Sequence, residues 1–326
     1  MSRNKTWLVA AGVGVAGVVL GWIWFSPTPT DPDGQTPGQP PYGHSSAGAV
    51  LGPRPEVAAL IAEAAGVCDR LVERFPHSPP SHDVKAWFLY RFGKSAEAVQ
   101  HWQRCIELDS TFGAAYYWMG RCAFDQEDYG RAVDYFRKSL AVEPDSAIYP
   151  LYLANALMRL AKFEEAVAVL REDVKARPNA MASYVLLGQG YLHLRRYQEA
   201  KENLEKAIVL APDYTSAYYT LATACDRLGE KDKAKQYHAR FRRLKERDQR
   251  EEREALKRHD DTAEVRQGVA RVYSMAARVY EANGETAEAQ SHQRRAAELD
   301  PSNAQDLQTR KPREEKVADG MALPGL

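Results

Sequence analysis

The chain has 326 residues, and its 44 lysines and arginines balance 44 aspartates and glutamates. That balance excludes the overall basic field expected of a nucleic-acid binder, while 44% apolar residues over this length allow a sizeable core. Cys68, Cys105, Cys122 and Cys225 are too widely spaced for a metal site and too few for a disulfide framework. Each falls in a predicted helix and reads as a small packing residue, with one pairing left open in an oxidising compartment. The eight histidines are scattered, and neither HExxH, CxxC nor Gly-x-Ser-x-Gly occurs. Adjacent carboxylates such as Glu164 and Glu165, or Glu251 and Glu252, diverge on a helix and read as solvated faces. No enzyme activity, cofactor or metal is expected.

In chain order, residues 1–6 carry Arg3 and Lys5, and residues 7–25, from Trp7 to Phe25, carry no charge. Nineteen such residues are about the length a helix needs to cross a hydrocarbon core. The next charges are Asp31 and Asp33, and no lysine or arginine follows until Arg54, so the positive-inside rule places the short N-terminus in the cytoplasm and the rest beyond the membrane. A cleaved signal peptide is the rival reading, but its apolar part would be shorter and end in small residues, whereas this one ends in GWIWFSPTP. Gly12, Gly14 and Gly17 have the dinucleotide-binding spacing without a βαβ setting, and nucleotide binding is rejected. Gly17 and Gly21 form a GxxxG pair through which two anchors could pair as a homodimer. Residues 26–55 are rich in proline, glycine and small polar residues, the composition of a semi-extended tether.

Residues 56–78 follow with a predicted helix suited to cap what comes next. From there the chain repeats. Ala132, Ala166, Ala200 and Ala234 are 34 positions apart; so are Pro144, Pro178 and Pro212, and Gly120, Ala154, Gly188 and Ala222 keep phase with them. Tyr129, Phe163 and Tyr197 add an aromatic series. Within one unit Leu187, Gly188 and Tyr191 share a helix face, and Ala200, Leu204 and Ala207 share a second. The pattern predicts an all-α stack of helical hairpins whose units bury their apolar sides only against neighbours. Units fall near 79–112, 113–146, 147–180, 181–214, 215–248 and 270–303, closing a domain over 79–301. The last keeps Ala277, Tyr280, Gly284, Ala289, Ala296 and Pro301, but Ala234 to Ala289 is 55 positions, so about 21 residues, near 249–269, are inserted. The charged run from Leu244 to Asp261 is expected to extend the preceding helix into solvent; it lacks the sustained heptads of a coiled coil. Residues 304–326 are polar and non-periodic and are expected to form a disordered tail.

These motifs resemble the tetratricopeptide repeat, most clearly from Met181 to Tyr214, where Tyr184, Leu187, Gly188, Tyr191, Tyr197, Ala200, Leu204, Ala207 and Pro212 stand on the signature positions. The resemblance implies an α-α superhelix whose first helices line a concave groove. Its ninth and thirteenth positions in each unit give Trp87, Arg121, Asn155, Gln189 and Thr223, and Arg91, Asp125, Arg159, His193 and Arg227; its fifth gives Tyr117 and Tyr219. Arginines beside aromatics and amides suit an acidic or C-terminal peptide. The chaperone-tail clamp of this family is not implied, because Leu151 and Leu186 stand where lysine and asparagine are required. A likeness to the repeats of nucleocytoplasmic sugar transferases brings no activity, since no transferase domain follows. The expected function is a non-catalytic, membrane-anchored scaffold that binds a protein or peptide, with an accessory or regulatory subunit of a membrane-associated enzyme or envelope-assembly complex as the alternative.

Overall fold

The computed structural model describes residues 54–257 and 261–301. Among them there are thirteen helices. Helix α1 (Pro55–Arg74) precedes five hairpins: α2 (Pro79–Arg91) with α3 (Ser95–Leu108), α4 (Gly113–Asp125) with α5 (Tyr129–Val142), α6 (Tyr149–Arg159) with α7 (Phe163–Ala176), α8 (Met181–His193) with α9 (Tyr197–Leu210), and α10 (Thr215–Leu228) with α11 (Lys231–Lys257). A sixth pairs α12 (Asp261–Ala282) with α13 (Thr286–Leu299). The sequence-predicted membrane anchor, most of the tether and the C-terminal tail lie outside the described residues. Among the described residues no helix is long and apolar enough to cross a membrane.

The hairpin turn is the same object each time. One residue is left-handed at Gly93, Glu127, Ala161, Arg195, Gly229 and Gly284. The next amide donates to the carbonyl five residues back: Lys94 to Leu89 at 2.8 Å, Asp128 to Ala123 at 2.9 Å, Lys162 to Leu157 at 2.9 Å, and likewise at Arg196, Glu230 and Glu285. This 6→1 bond satisfies a carbonyl that the ending helix leaves open. The second helix of the second, third and fourth units ends differently. Pro144, Pro178 and Pro212 follow it, and a proline both lacks a donor and disfavours helix in the residue before it.

The small residues hold the two helices of a unit close. A methyl added at Gly120 would lie 2.7 Å from Cδ1 and Cε1 of Phe136, and one at Gly188 would fall inside 3.0 Å of Cγ, Cδ1 and Cδ2 of Leu204. Ala132, Ala154, Ala166, Ala200 and Ala222 are wholly buried at the equivalent contacts, and Ala234 and Ala289 nearly so. Aromatics fill the space beside them, with Trp102 and Trp118 stacked at 5.7 Å and Tyr117 against Tyr149 at 5.2 Å. From α2 to α11 each second helix packs on the first helix of the next unit, as a stacked array requires.

The sixth hairpin departs from the expected order. Helix α12 packs against α1 and α2, at the opposite end of the array from α10 and α11. The fifth unit differs in sequence at two repeat positions. Glu246 stands where Pro144, Pro178 and Pro212 stand, and α11 runs on to Lys257. Phe241 stands where Cys105, Ser139, Asp173 and Ala207 stand, and its ring packs on Tyr219 of α10. The insertion is likewise not a single projecting extension: residues 249–257 lengthen α11, and residues 261–269 form the first turns of α12, where Val269 is wholly buried. Helix α1 is therefore not a terminal cap. Its Ala64, Val67, Cys68 and Leu71 are sealed from solvent, and α12 packs against it.

Candidate partner-binding face

The 34-residue interval puts equivalent side chains on α2, α4, α6, α8 and α10, and the structure sorts them into three groups. The first is buried. Tyr117 and Arg121 of α4 are only 1% and 5% exposed. Arg121 donates from Nη1 to Tyr152 Oη at 2.6 Å, lies 4.7 Å over that ring, and has a buried Nε with no partner. Both residues serve the α4–α6 contact rather than standing free in a groove, because Tyr152, one position beyond the fifth-position series, closes over them.

The second group is accessible. Arg159 of α6 is half-buried, donates from Nη2 to Tyr129 Oη at 2.8 Å and stacks 5.0 Å over the same ring. Asn155 and Gln189 are half-buried, while His193 and Arg227 are exposed. His193 lies flat against Phe163 at 4.3 Å. Tyr219 is 37% exposed and rests on Phe241 of α11 at 5.3 Å. Asp125, also exposed, accepts a bond from Tyr90 Oη at 2.6 Å. This face carries arginine, imidazole, amide and phenol groups on successive helices, and its donors suit a carboxylate-bearing chain.

The third group belongs to α2 and is covered. Asp83, Trp87 and Arg91 recur every four residues along one side of the helix, at the fifth, ninth and thirteenth positions of the first unit. Arg91 Nη2 meets Glu264 Oε1 at 2.5 Å, and the Arg271 guanidinium lies 4.9 Å over Trp87, which is buried. Asp83 accepts the Trp102 indole N–H at 2.8 Å and feels the positive fields of Arg271 and Arg278. Burial nevertheless dominates and raises its carboxyl pKa to about 6. Sequence reasoning missed Asp83, Tyr152 and Tyr129 as partners of this face. The 34-residue step back from Tyr117 reaches Asp83, whereas nothing local signals that α12 returns to cover it.

The four cysteines are free and buried, and burial pushes the Cys68 and Cys122 thiols up to about 12, as expected of inert packing residues.

Family models agree with the repeat pattern. Models of the tetratricopeptide repeat match residues 113–146, 185–245 and 270–303, and a model described as anaphase-promoting complex, cyclosome, subunit 3 matches residues 130–207. No curated protein matches the chain. Among solved structures, the chain is similar to YrrB, described as a TPR protein with an unusual peptide-binding site, at 19% identity and a TM-score of 0.49, over 54% of this chain and 91% of that one. It is also similar to MamA from Desulfovibrio magneticus RS-1, at 21% identity and a TM-score of 0.46, over 56% of this chain and 96% of the other. With the family models falling on hairpins that share one turn, one pair of small contact positions and one interval, the chain is a tetratricopeptide-repeat protein.

Proposed function

We propose that this protein is a non-catalytic scaffold that captures an acidic segment of a partner protein along the inner helices α6, α8 and α10. The observation that carries this reading is the accessible row of Asn155, Arg159, Gln189, His193 and Arg227, repeated at the 34-residue interval on consecutive helices. Arginine holds a carboxylate through two parallel bonds, and a row spaced by the repeat suits an extended chain. Residues 7–25 support a membrane tether, with the array on the non-cytoplasmic side and the proline-rich segment setting its reach.

The test is selection of peptides from a random display library on the full chain, repeated with Arg159→Glu and Arg227→Glu. Enrichment of sequences rich in aspartate and glutamate, lost in both variants, supports the reading. Selection without acidic bias, or binding indifferent to both reversals, overturns it.

A further inference from the structure

The return of α12 to the start of the array places one helix of this chain where the family's groove begins. On α2 the three inner positions all have partners from α12: Arg91 is paired with Glu264, Trp87 is covered by Arg271, and Asp83 faces Arg271 and Arg278. The two helices run antiparallel, since Glu264 meets the end of α2 and Arg278 its beginning. Val269, Val272 and Ala276 of α12 are wholly buried, and Val265 and Met275 pack partly buried against the same core.

The outer side is fastened by ion pairs to α1. Glu63 receives Arg295 at 2.9 Å and 3.0 Å and the Tyr273 hydroxyl at 2.6 Å, and Arg74 reaches Glu285 at 2.7 Å. Phe75 meets Tyr280 edge-on at 5.5 Å. These ion pairs sit at the rim, so salt screens them and each contributes modestly. The docking thus joins an apolar centre to a salt-sensitive border, which is the anatomy of an interface between separate bodies.

We propose that the α12–α13 hairpin is an internal ligand of the first unit: it occupies in cis the face of α1 and α2, and a partner's amphipathic helix gains that end of the groove only when the hairpin leaves. The proposal extends the reading of the inner face as a partner surface. The hairpin itself states what the face accepts, a helix with a valine and alanine stripe, a glutamate opposite Arg91 and an arginine opposite Trp87. Because the competing helix is part of the same chain, its effective concentration at the face is set by the connection to α11, and an outside helix must exceed that advantage.

The experiment uses the full chain carrying Glu264→Arg and Arg295→Glu, which repel Arg91 and Glu63 while leaving the receiving face native. The probe is a labelled synthetic peptide of native sequence spanning residues 261–301. The expected result is that the wild-type chain does not take up the probe, the variant does, and amide exchange in α2 and α12 of the variant rises at least ~10-fold while α6 and α8 keep their protection. A folded variant with native exchange and no probe binding overturns the proposal. Should the variant not fold, exchange in the wild-type chain at low and high salt decides. Opening of α12 and α13 ahead of α6 and α8, accelerated by salt, supports the proposal; exchange only through global unfolding overturns it. Neither readout depends on a partner, so failure here is distinct from failure of the scaffold reading.

Discussion

Replacing Gly188 by alanine separates packing from helix propensity by the sign of its effect. In the middle of α8, alanine is favoured over glycine by about 1 kcal/mol on propensity alone. In this fold the new methyl would fall inside 3.0 Å of three carbons of Leu204, including Cγ, which is not the free end of a side chain. Leu204 is wholly buried, so it has no space to turn into. Overpacking of this kind costs about 1–3 kcal/mol, and we expect Gly188→Ala to lower stability by up to about 2 kcal/mol after the propensity gain. Leu204→Ala alone leaves a cavity and costs roughly 2–5 kcal/mol. In the double variant the added methyl occupies part of that cavity, and the two changes should couple favourably by at least ~1 kcal/mol. Urea unfolding of the four chains, read together with amide exchange in α8 and α9, measures the cycle. A rise in midpoint for Gly188→Ala, or simple additivity in the double variant, would refute the close approach of α8 and α9.

Three further predictions follow from particular residues. Glu127, Ala161 and Arg195 hold left-handed backbone that glycine holds at Gly93, Gly229 and Gly284; each change to glycine should stabilise the fold by about 0.5 kcal/mol net of the extra chain entropy, seen as additive rises in melting temperature. Asp173 stands at a small position of the repeat yet is buried, accepting bonds from Ser183 and Arg177. Asp173→Ala should therefore cost about 2–3 kcal/mol by leaving the buried Ser183 hydroxyl unpaired and removing one of the two partners of Arg177, whose other bond goes to the Asp145 carbonyl, even though it restores the residue type found at Ala207. Asp83 protonates near 6 in the fold, against 3.8 for the unperturbed group. The folded state therefore binds the extra proton between these values, so this group's contribution is fully present below about pH 4 and is lost as pH rises through 6. Asp83→Asn should remove that component, and NMR titration of the carboxyl checks the value directly.

Most of the array was legible because its determinants are local and repeat. Gly120 and Gly188, the alanine series and the prolines mark contacts within a unit or between neighbours, and a 34-residue interval multiplies the signal. The departures are non-local. Phe241 and Glu246 show in sequence that the fifth unit differs, but where the sixth hairpin settles depends on complementarity between α12 and a surface about 180 residues earlier in the chain. Burial of Tyr117 and Arg121 was hidden for a related reason. It depends on Tyr152, a residue outside the repeat pattern, reaching across from the next unit.

The scaffold account is tested most directly by crosslinking in intact cells, comparing the native chain with the Arg159→Glu, Arg227→Glu double variant. The account predicts that a defined set of partners bearing acidic segments is captured by the native chain and lost from the variant, with helix content and melting temperature unchanged. An identical set of crosslinked partners for both chains would contradict it.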